Sequence, residues 1–366
     1  MKSKRNFLIG FLLVVLLLCY TVGCSSPAAE PGNGGNDNGQ AAGEQKPIEL
    51  KMADFFPANH VAVTVNVQSW IDAVEEATEG KVKIIHYPGE TLLKADDILG
   101  GVISGVADIG HTCVTYDVGR LPLMQVVGLP GVEVLSSKAS SYTAWDMMVK
   151  EGGEKYKELQ DVKVPFVYGI TSAAFHTQRP INTLEDLKGM QIRVTAPAVE
   201  PMEALGAVPI AMPMSEAYEA LSKGVVEGAL VASEVLEGWN IADVTKYTTI
   251  VPIFFTDFHY FPMNLDVWNS LTPEIQQAIE SASQRVHEEI SCKLWDEVDE
   301  SSLKYAIEET GQIVTELPES EKQRMVEILE PLQEKWIEEM ESKGLPGREV
   351  AEEFKSRIAK YGEMFN

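Results

Sequence analysis

The chain has 366 residues, with 30 Lys and Arg against 55 Asp and Glu and a formal net charge of −25. That length has room for two domains with full-sized cores, at roughly 100–200 residues each, and a hydrophobic share of 45% marks an ordinary globular chain. The acidic excess excludes a binder of nucleic acid, or of anionic lipid through a basic face, and four cysteines exclude a disulfide-built scaffold.

The first residues read as an address. Lys2, Lys4 and Arg5 precede an apolar run from Phe7 to Tyr20, which is 14 residues long and too short to span a bilayer comfortably. Thr21-Val22-Gly23-Cys24 then resembles a bacterial lipobox, with Cys24 as the residue to be lipidated. Residues 1–23 are therefore expected to be a lipoprotein signal peptide; the alternative is a plain secretory signal with an incidental cysteine. Residues 24–46 are rich in Gly, Ser, Asn and Ala without an apolar period, and are expected to be a flexible tether. The folded part is thus expected outside the cytoplasmic membrane, anchored to it by lipid. Removal of the signal takes away three basic residues and leaves a net charge of −28. Of the cysteines that remain in the folded part, Cys113 and Cys292 are read as buried thiols, with a disulfide between them as the alternative.

After the tether the pattern alternates. Strands are expected at 48–53, 81–86, 106–110, 164–170, 191–195 and 225–232. Helices are expected at 60–79, 95–105, 136–160, 183–188 and from an N-cap at Ser215 to Lys223. This rhythm predicts an α/β fold of open sheets, with ligands at the carboxyl ends of strands. Thr272 then caps a pattern with Pro273 at the first helical position. Its apolar face, including Ile275, Ile279, Val286, Ile290 and Val298, can run to Gly311, giving a helix of roughly 60 Å. Two acidic amphipathic helices, 319–342 and 349–361, complete the sequence.

Enzyme signatures do not emerge, and no catalytic residue, cofactor or metal ligand is assigned. Gly101-Val102-Ile103-Ser104-Gly105 has the wrong spacing for a nucleophile elbow. The glycines of the tether lie outside any strand-to-helix turn, so they make no dinucleotide fingerprint. His60, His86, His111, His176, His259 and His287 never pair at i, i+4 on a helix. What stands out is arginine scarcity. Between residues 47 and 270 only Arg120, Arg179 and Arg193 occur. Arg193 sits between Ile192 and Val194 in a core strand, where an unpaired guanidinium is costly and its planar fork suits a carboxylate. That carboxylate is either one of the protein's own or a ligand's.

Several ordered blocks carry a family resemblance: DLKGMQIRV (186–194), LGAVPIAMPMSEAYEALSKGVVEG (205–228), FFPANH (55–60), EEATEGKVKIIHYPGETLLK (75–94), GVADIGH (105–111), GRLPL (119–123) and MNLDVWNSLTPEIQQAI (263–279). From residue 48 to about 283 the sequence resembles the solute-binding proteins of tripartite ATP-independent periplasmic (TRAP) transporters, of the C4-dicarboxylate-receptor type. The resemblance implies a two-domain clam shell with a long C-terminal helix spanning both domains. The expected division is 47–165 with 215–255 as domain I, 166–214 with 256–311 as domain II, and 312–366 as C-terminal helices.

The resemblance also implies that Arg193 pairs with a substrate carboxylate, that the ligand is a small organic acid, and that the partners are integral membrane subunits driven by an ion gradient. Phe55, Phe56, Tyr116, Met214 and Phe258 are carried over as pocket positions. Phe175 is expected nearby, and Glu234 to orient a ligand hydroxyl or a cation. Trp239 is read as packing and Arg179 as structural. Ala173 stands where sialic-acid-type members have a second arginine, and Glu227 where many members have Asp. These departures point away from sialic acid and simple C4-dicarboxylates, toward a monocarboxylate with an apolar or aromatic body. The receptor of an ATP-driven importer, a ligand-presenting partner of a sensor kinase, and an extracytoplasmic enzyme remain as alternatives.

Overall fold

A computed structural model of the protein describes residues 46–365. The expected signal peptide, most of the tether and Cys24 lie outside the described residues.

Eleven strands are described: β1 Ile48–Asp54, β2 Val82–Tyr87, β3 Ile109–Cys113, β4 Val162–Gly169, β5 Ala174–Thr177, β6 Gln191–Val194, β7 Val208–Ala211, β8 Gly228–Val231, β9 Tyr247–Ile250, β10 Phe258–Asn264 and β11 Ile313–Glu316. They form two sheets, in the orders β2-β1-β3-β10-β4 and β11-β9-β5-β8-β6-β7. In the first, β1 pairs parallel with β2 and β3, and β10 runs antiparallel between β3 and β4. In the second, β6 pairs parallel with β7 and β8, while β5 runs antiparallel to β8 and β9. Both sheets are mixed, and their central strands β3, β10, β5 and β8 are buried on both faces.

Local chemistry explains the flanking elements. The helix Gln68–Ala77 buries Trp70, Ile71, Ala73 and Val74 at helical spacing. Its larger side chains contribute about 1.5–3 kcal/mol each by leaving water. The Trp70 indole N–H donates to Ser283 Oγ at 2.8 Å, which ties this helix to the long one. The turn Leu184–Leu187 opens on a reciprocal capping box between Thr183 and Asp186.

The long helix runs through Pro273–Val286, a wide turn at His287–Ser291, and Cys292–Thr310. Thr272 caps its start, and Gly311 ends it at φ 71°, a left-handed position that favours glycine. Its first part packs against Gln68–Ala77 and β4. Its last part reaches Val235–Gly238 and β11 of the second sheet. One rod therefore braces both sheets. Among the described residues no helix is long and apolar enough to cross a membrane.

Five strands, β5, β7, β9, β10 and β11, are absent from the sequence reading, and three further details differ from it. First, the strand expected at 106–110 begins at Ile109, because Val106 lies exposed in the preceding turn. Second, Pro213 rather than Ser215 precedes the helix Met214–Ser222, and the Ser215 hydroxyl donates instead to Glu90 Oε1 at 3.1 Å. Third, the expected grouping of 47–165 with 215–255 does not follow the sheets. β8 and β9 pair with β5, and β10 inserts between β3 and β4. The backbone passes from one sheet to the other after β4 and returns after β9. These two crossing segments bind each other, with Ala173 N–H donating to Phe255 O at 3.0 Å and Ile170 N–H to Asp257 O at 3.2 Å.

Candidate ligand-binding site

Strand ends from both sheets converge beside this crossing ribbon. β1 leads into Phe55 and Phe56, β3 into Tyr116, β6 into Thr195, and β8 into Glu234. A cavity of about 30 Å³ lies among them, and the ribbon adds Ile170, Phe255 and Asp257. Carboxyl ends of strands expose backbone ends and side chains that the sheet itself does not use, which is why ligands gather there.

Arg193 is the central cation. β6 is held between β7 and β8, with Arg193 level with Ile210 and Ala229. The residue is 1% exposed. Its Nε donates to the Met212 carbonyl at 3.0 Å, and its Nη2 has no hydrogen-bond partner. No carboxylate of the described residues comes within 4.0 Å of it to form an ion pair. Arg179 behaves differently. Its Nε meets Glu227 Oε2 at 3.0 Å and its Nη1 donates to Asp186 O at 2.8 Å, at the surface. One arginine is consumed by the fold and the other is left free inside it.

The wall is aromatic. Phe55 lies 4.2 Å from Phe56, 5.4 Å from Tyr116 and 6.2 Å from Trp239, between ring centroids. The Tyr116 hydroxyl accepts the Met214 N–H at 2.9 Å, a bond from the first sheet to a helix of the second. Its own hydrogen remains available, and burial raises its pKa, so the phenol stays protonated.

Behind this wall lie two buried polar networks. Asp54 meets His86 Nε2 at 2.9 Å and His111 Nδ1 at 3.1 Å. Burial alone would raise its carboxyl, but His111 and then His86 outweigh it and hold it at about 2. His60 Nε2 meets Glu234 Oε2 at 3.0 Å, while Glu234 N–H donates to Asp299 Oδ1 at 2.7 Å. His60 comes from the first sheet's half, Glu234 follows β8, and Asp299 belongs to the long helix, so three parts of the fold meet at this knot.

Asp257 is the other carboxyl of the cavity. It accepts from the Thr115 hydroxyl and from Phe258 N–H at 2.9 Å. Burial nevertheless pushes its pKa up to about 7. The cavity thus holds one permanent cation beside a carboxyl that resists ionisation. Among the described residues no group of three or more His, Cys, Asp and Glu side chains is placed to hold a metal ion. Cys113 and Cys292 are free and buried.

The structure brings Arg193, Phe55, Phe56, Tyr116, Met214 and Glu234 to the one cavity. It does not bring Phe175 or Phe258 there. Phe175 packs edge-on against Phe254, at 5.2 Å, in the second sheet's core. Phe258 faces Phe354 at 6.1 Å, on the far side of β10. Its neighbours Asp257 and His259 line the cavity instead, because adjacent strand residues face opposite ways. Trp239, read as packing, also lines the cavity, as do Thr195 and His259, which the sequence reading missed.

Two mixed sheets, joined by crossing segments and closing on one cavity at their strand ends, make the clam-shell architecture of periplasmic binding proteins. The family model for bacterial extracellular solute-binding proteins, family 7, matches residues 52–339, and the chain belongs to that family.

A TRAP periplasmic solute binding protein from Desulfovibrio salexigens is similar in structure, with a TM-score of 0.74 and 33% identity over 86% of this chain and 97% of that one. It is an open complex with the C-terminus of a symmetry mate in its ligand binding site. A marine metagenome TRAP solute binding protein specific for aromatic acid ligands has a TM-score of 0.79 and 28% identity, over 86% of this chain and 99% of that one, and was solved with meta-hydroxyphenylacetate. In sequence, the 2,3-diketo-L-gulonate-binding periplasmic protein YiaO of Escherichia coli is 26% identical over 58% of this chain and 65% of its own length. The chain spans between 54% and 65% of the first curated relatives it matches.

Proposed function

We propose that the protein is an extracytoplasmic receptor that captures an organic-acid anion and delivers it to the membrane subunits of a TRAP-type transporter. The observation that carries this reading is Arg193, a buried guanidinium with no carboxylate partner among the described residues, lining a cavity walled by Phe55, Phe56 and Tyr116. A buried charge without a counter-charge is expensive unless something supplies one. A ligand carboxylate would supply it, in a bidentate pair that Arg suits better than Lys.

The aromatic wall favours an acid with an apolar or aromatic body. The metagenome relative's specificity for aromatic acids supports this. Access for the ligand requires the two sheets to part along the 170–173 and 255–257 ribbon. On closure, water leaves and the Arg193 pairing strengthens in the lower dielectric. The Thr21–Cys24 stretch supports a lipid anchor at Cys24, which would hold the receptor at the outer face of the cell membrane.

The test is mass spectrometry of small molecules released from purified protein, followed by a thermal-shift screen of organic acids. Carboxylic acids should be released, and their re-addition should raise the melting temperature, because a ligand of the folded form stabilises it. If amines or neutral sugars are released and stabilise the protein while acids do not, the reading is wrong.

A further inference from the structure

Two hydrogen bonds run from the start of the helix Met214–Ser222 to the first sheet's half. Tyr116 Oη, in the turn after β3, accepts the Met214 N–H at 2.9 Å. Glu90 Oε1, in the turn after β2, accepts the Ser215 hydroxyl at 3.1 Å.

The helix has no cap of its own. Pro213 precedes it and has no side-chain oxygen to accept from the first turn. An ordinary cap is a neighbour in sequence and stays in place whatever the domains do. Here the acceptors are distant: Tyr116 lies 98 residues from Met214, and Glu90 lies 125 from Ser215. Both bonds exist only while the two halves are together.

The Glu90 side is held firmly. Gly89 and Glu90 both take left-handed backbone, at φ 64° and 58°. Glycine adopts that conformation freely, and a glutamate there is strained. Gly89 N–H donates to Phe56 O at 2.8 Å and Glu90 N–H to Asp54 O at 3.0 Å, which fastens this turn to the segment carrying the aromatic wall. The carboxylate is braced as well: Oε1 also accepts the Ala95 N–H at 3.0 Å, and Oε2 meets Lys94 Nζ at 2.8 Å. Glu90 thus presents a fixed acceptor to the opposite half.

We infer that Glu90 and Ser215, together with the Tyr116–Met214 bond, form a latch that holds the receptor shut over its ligand. Tyr116 and Met214 line the cavity, whereas Glu90 and Ser215 do not. The last two are therefore positioning residues, which act on the ligand only through closure. The inference rests on the proposed capture of an acid between the two halves and adds what keeps them closed.

Stopped-flow fluorescence tests it, because Trp239 lines the cavity and reports its filling. The probes are benzoate, phenylacetate and meta-hydroxyphenylacetate. Ser215→Ala and Glu90→Ala should each raise the dissociation rate of a bound acid about fivefold, the effect of losing one cap, with the association rate unchanged. The double variant should lose no more than the stronger single one, since both remove the same bond. Scanning calorimetry adds a reading that a structural contact would not give. Without acid, Ser215→Ala should melt with the unsubstituted protein, because the open form does not make the bond; with acid, the rise in melting temperature should shrink. Dissociation rates unchanged in both variants overturn the latch and leave the carboxylate site standing. An equal fall in melting temperature with and without acid does the same, since it makes the bond part of the fold. If the unsubstituted protein binds none of the three acids, the capture reading falls and the latch with it.

Discussion

Arg193→Met separates a ligand-binding arginine from a structural one by moving two measurements in different directions. In the structure Arg193 is held by one hydrogen bond, from Nε to the Met212 carbonyl, and has no counter-ion among the described residues. Losing that bond costs about 1.5–3 kcal/mol. Removing a charge that sits desolvated and unpaired returns several kcal/mol, and Met fills much of the vacated volume with apolar contacts. The unliganded variant should therefore melt within a few degrees of the unsubstituted protein, or above it.

The bound state differs. There the substitution strands a buried ligand carboxylate, a loss of about 2–5 kcal/mol. At about 1.4 kcal/mol per tenfold change, affinity should fall by roughly 30-fold to several thousand-fold. Calorimetric titration and differential scanning calorimetry on the same preparation read both quantities. A structural salt bridge would give the reverse, a loss of about 3–5 kcal/mol in stability with affinity intact. That outcome would falsify the assignment.

Two further predictions rest on other residues. A Cβ on Gly128 would sit 2.4 Å from Pro197 Cβ, where a segment following β3 meets one following β6. Gly128→Ala should thus hinder closure, weakening ligand affinity about tenfold or more with a modest stability change, and X-ray scattering should show a more open particle with ligand present. Asp257 has its pKa raised from 3.8 to about 7 by burial, so the folded state holds a proton that the unfolded state releases as pH rises between those values. Its contribution to stability is full below pH 4 and is lost as pH approaches 7. Denaturant titration should therefore show Asp257→Asn gaining on the unsubstituted protein from pH 4 to 7, by an amount on the order of 2–4 kcal/mol.

The features of the fold legible in the sequence are those fixed by local pattern. The long helix is visible because Thr272, Pro273 and Gly311 mark its ends and the apolar face persists between them. Arg193 is visible because a guanidinium in a core strand needs a partner wherever it lies. Phe55, Phe56 and Tyr116 reach the cavity because they follow strand ends.

What the sequence hides is long-range pairing and strand phase. Nothing local in Phe258–Asn264 says that it slots between β3 and β4, so β10 and with it the sheet boundaries are misassigned. Phase matters as much: with a side-chain period of two, a one-residue error exchanges cavity for core. Phe258 is the aromatic that attracts attention, yet Asp257 and His259 are the residues that face the cavity. Trp239 fails for another reason. Its ring does pack on Phe55, but only the three-dimensional structure shows that its N–H is left without a partner.

The most direct measurement is a crystal structure of the protein with the acid it carries from the cells that made it. The ligand's carboxylate oxygens should lie about 2.7–2.9 Å from the Arg193 guanidinium nitrogens, the distance of a charge-assisted pair. An acid seated elsewhere, with Arg193 turned onto Glu234 or Asp257, would contradict it.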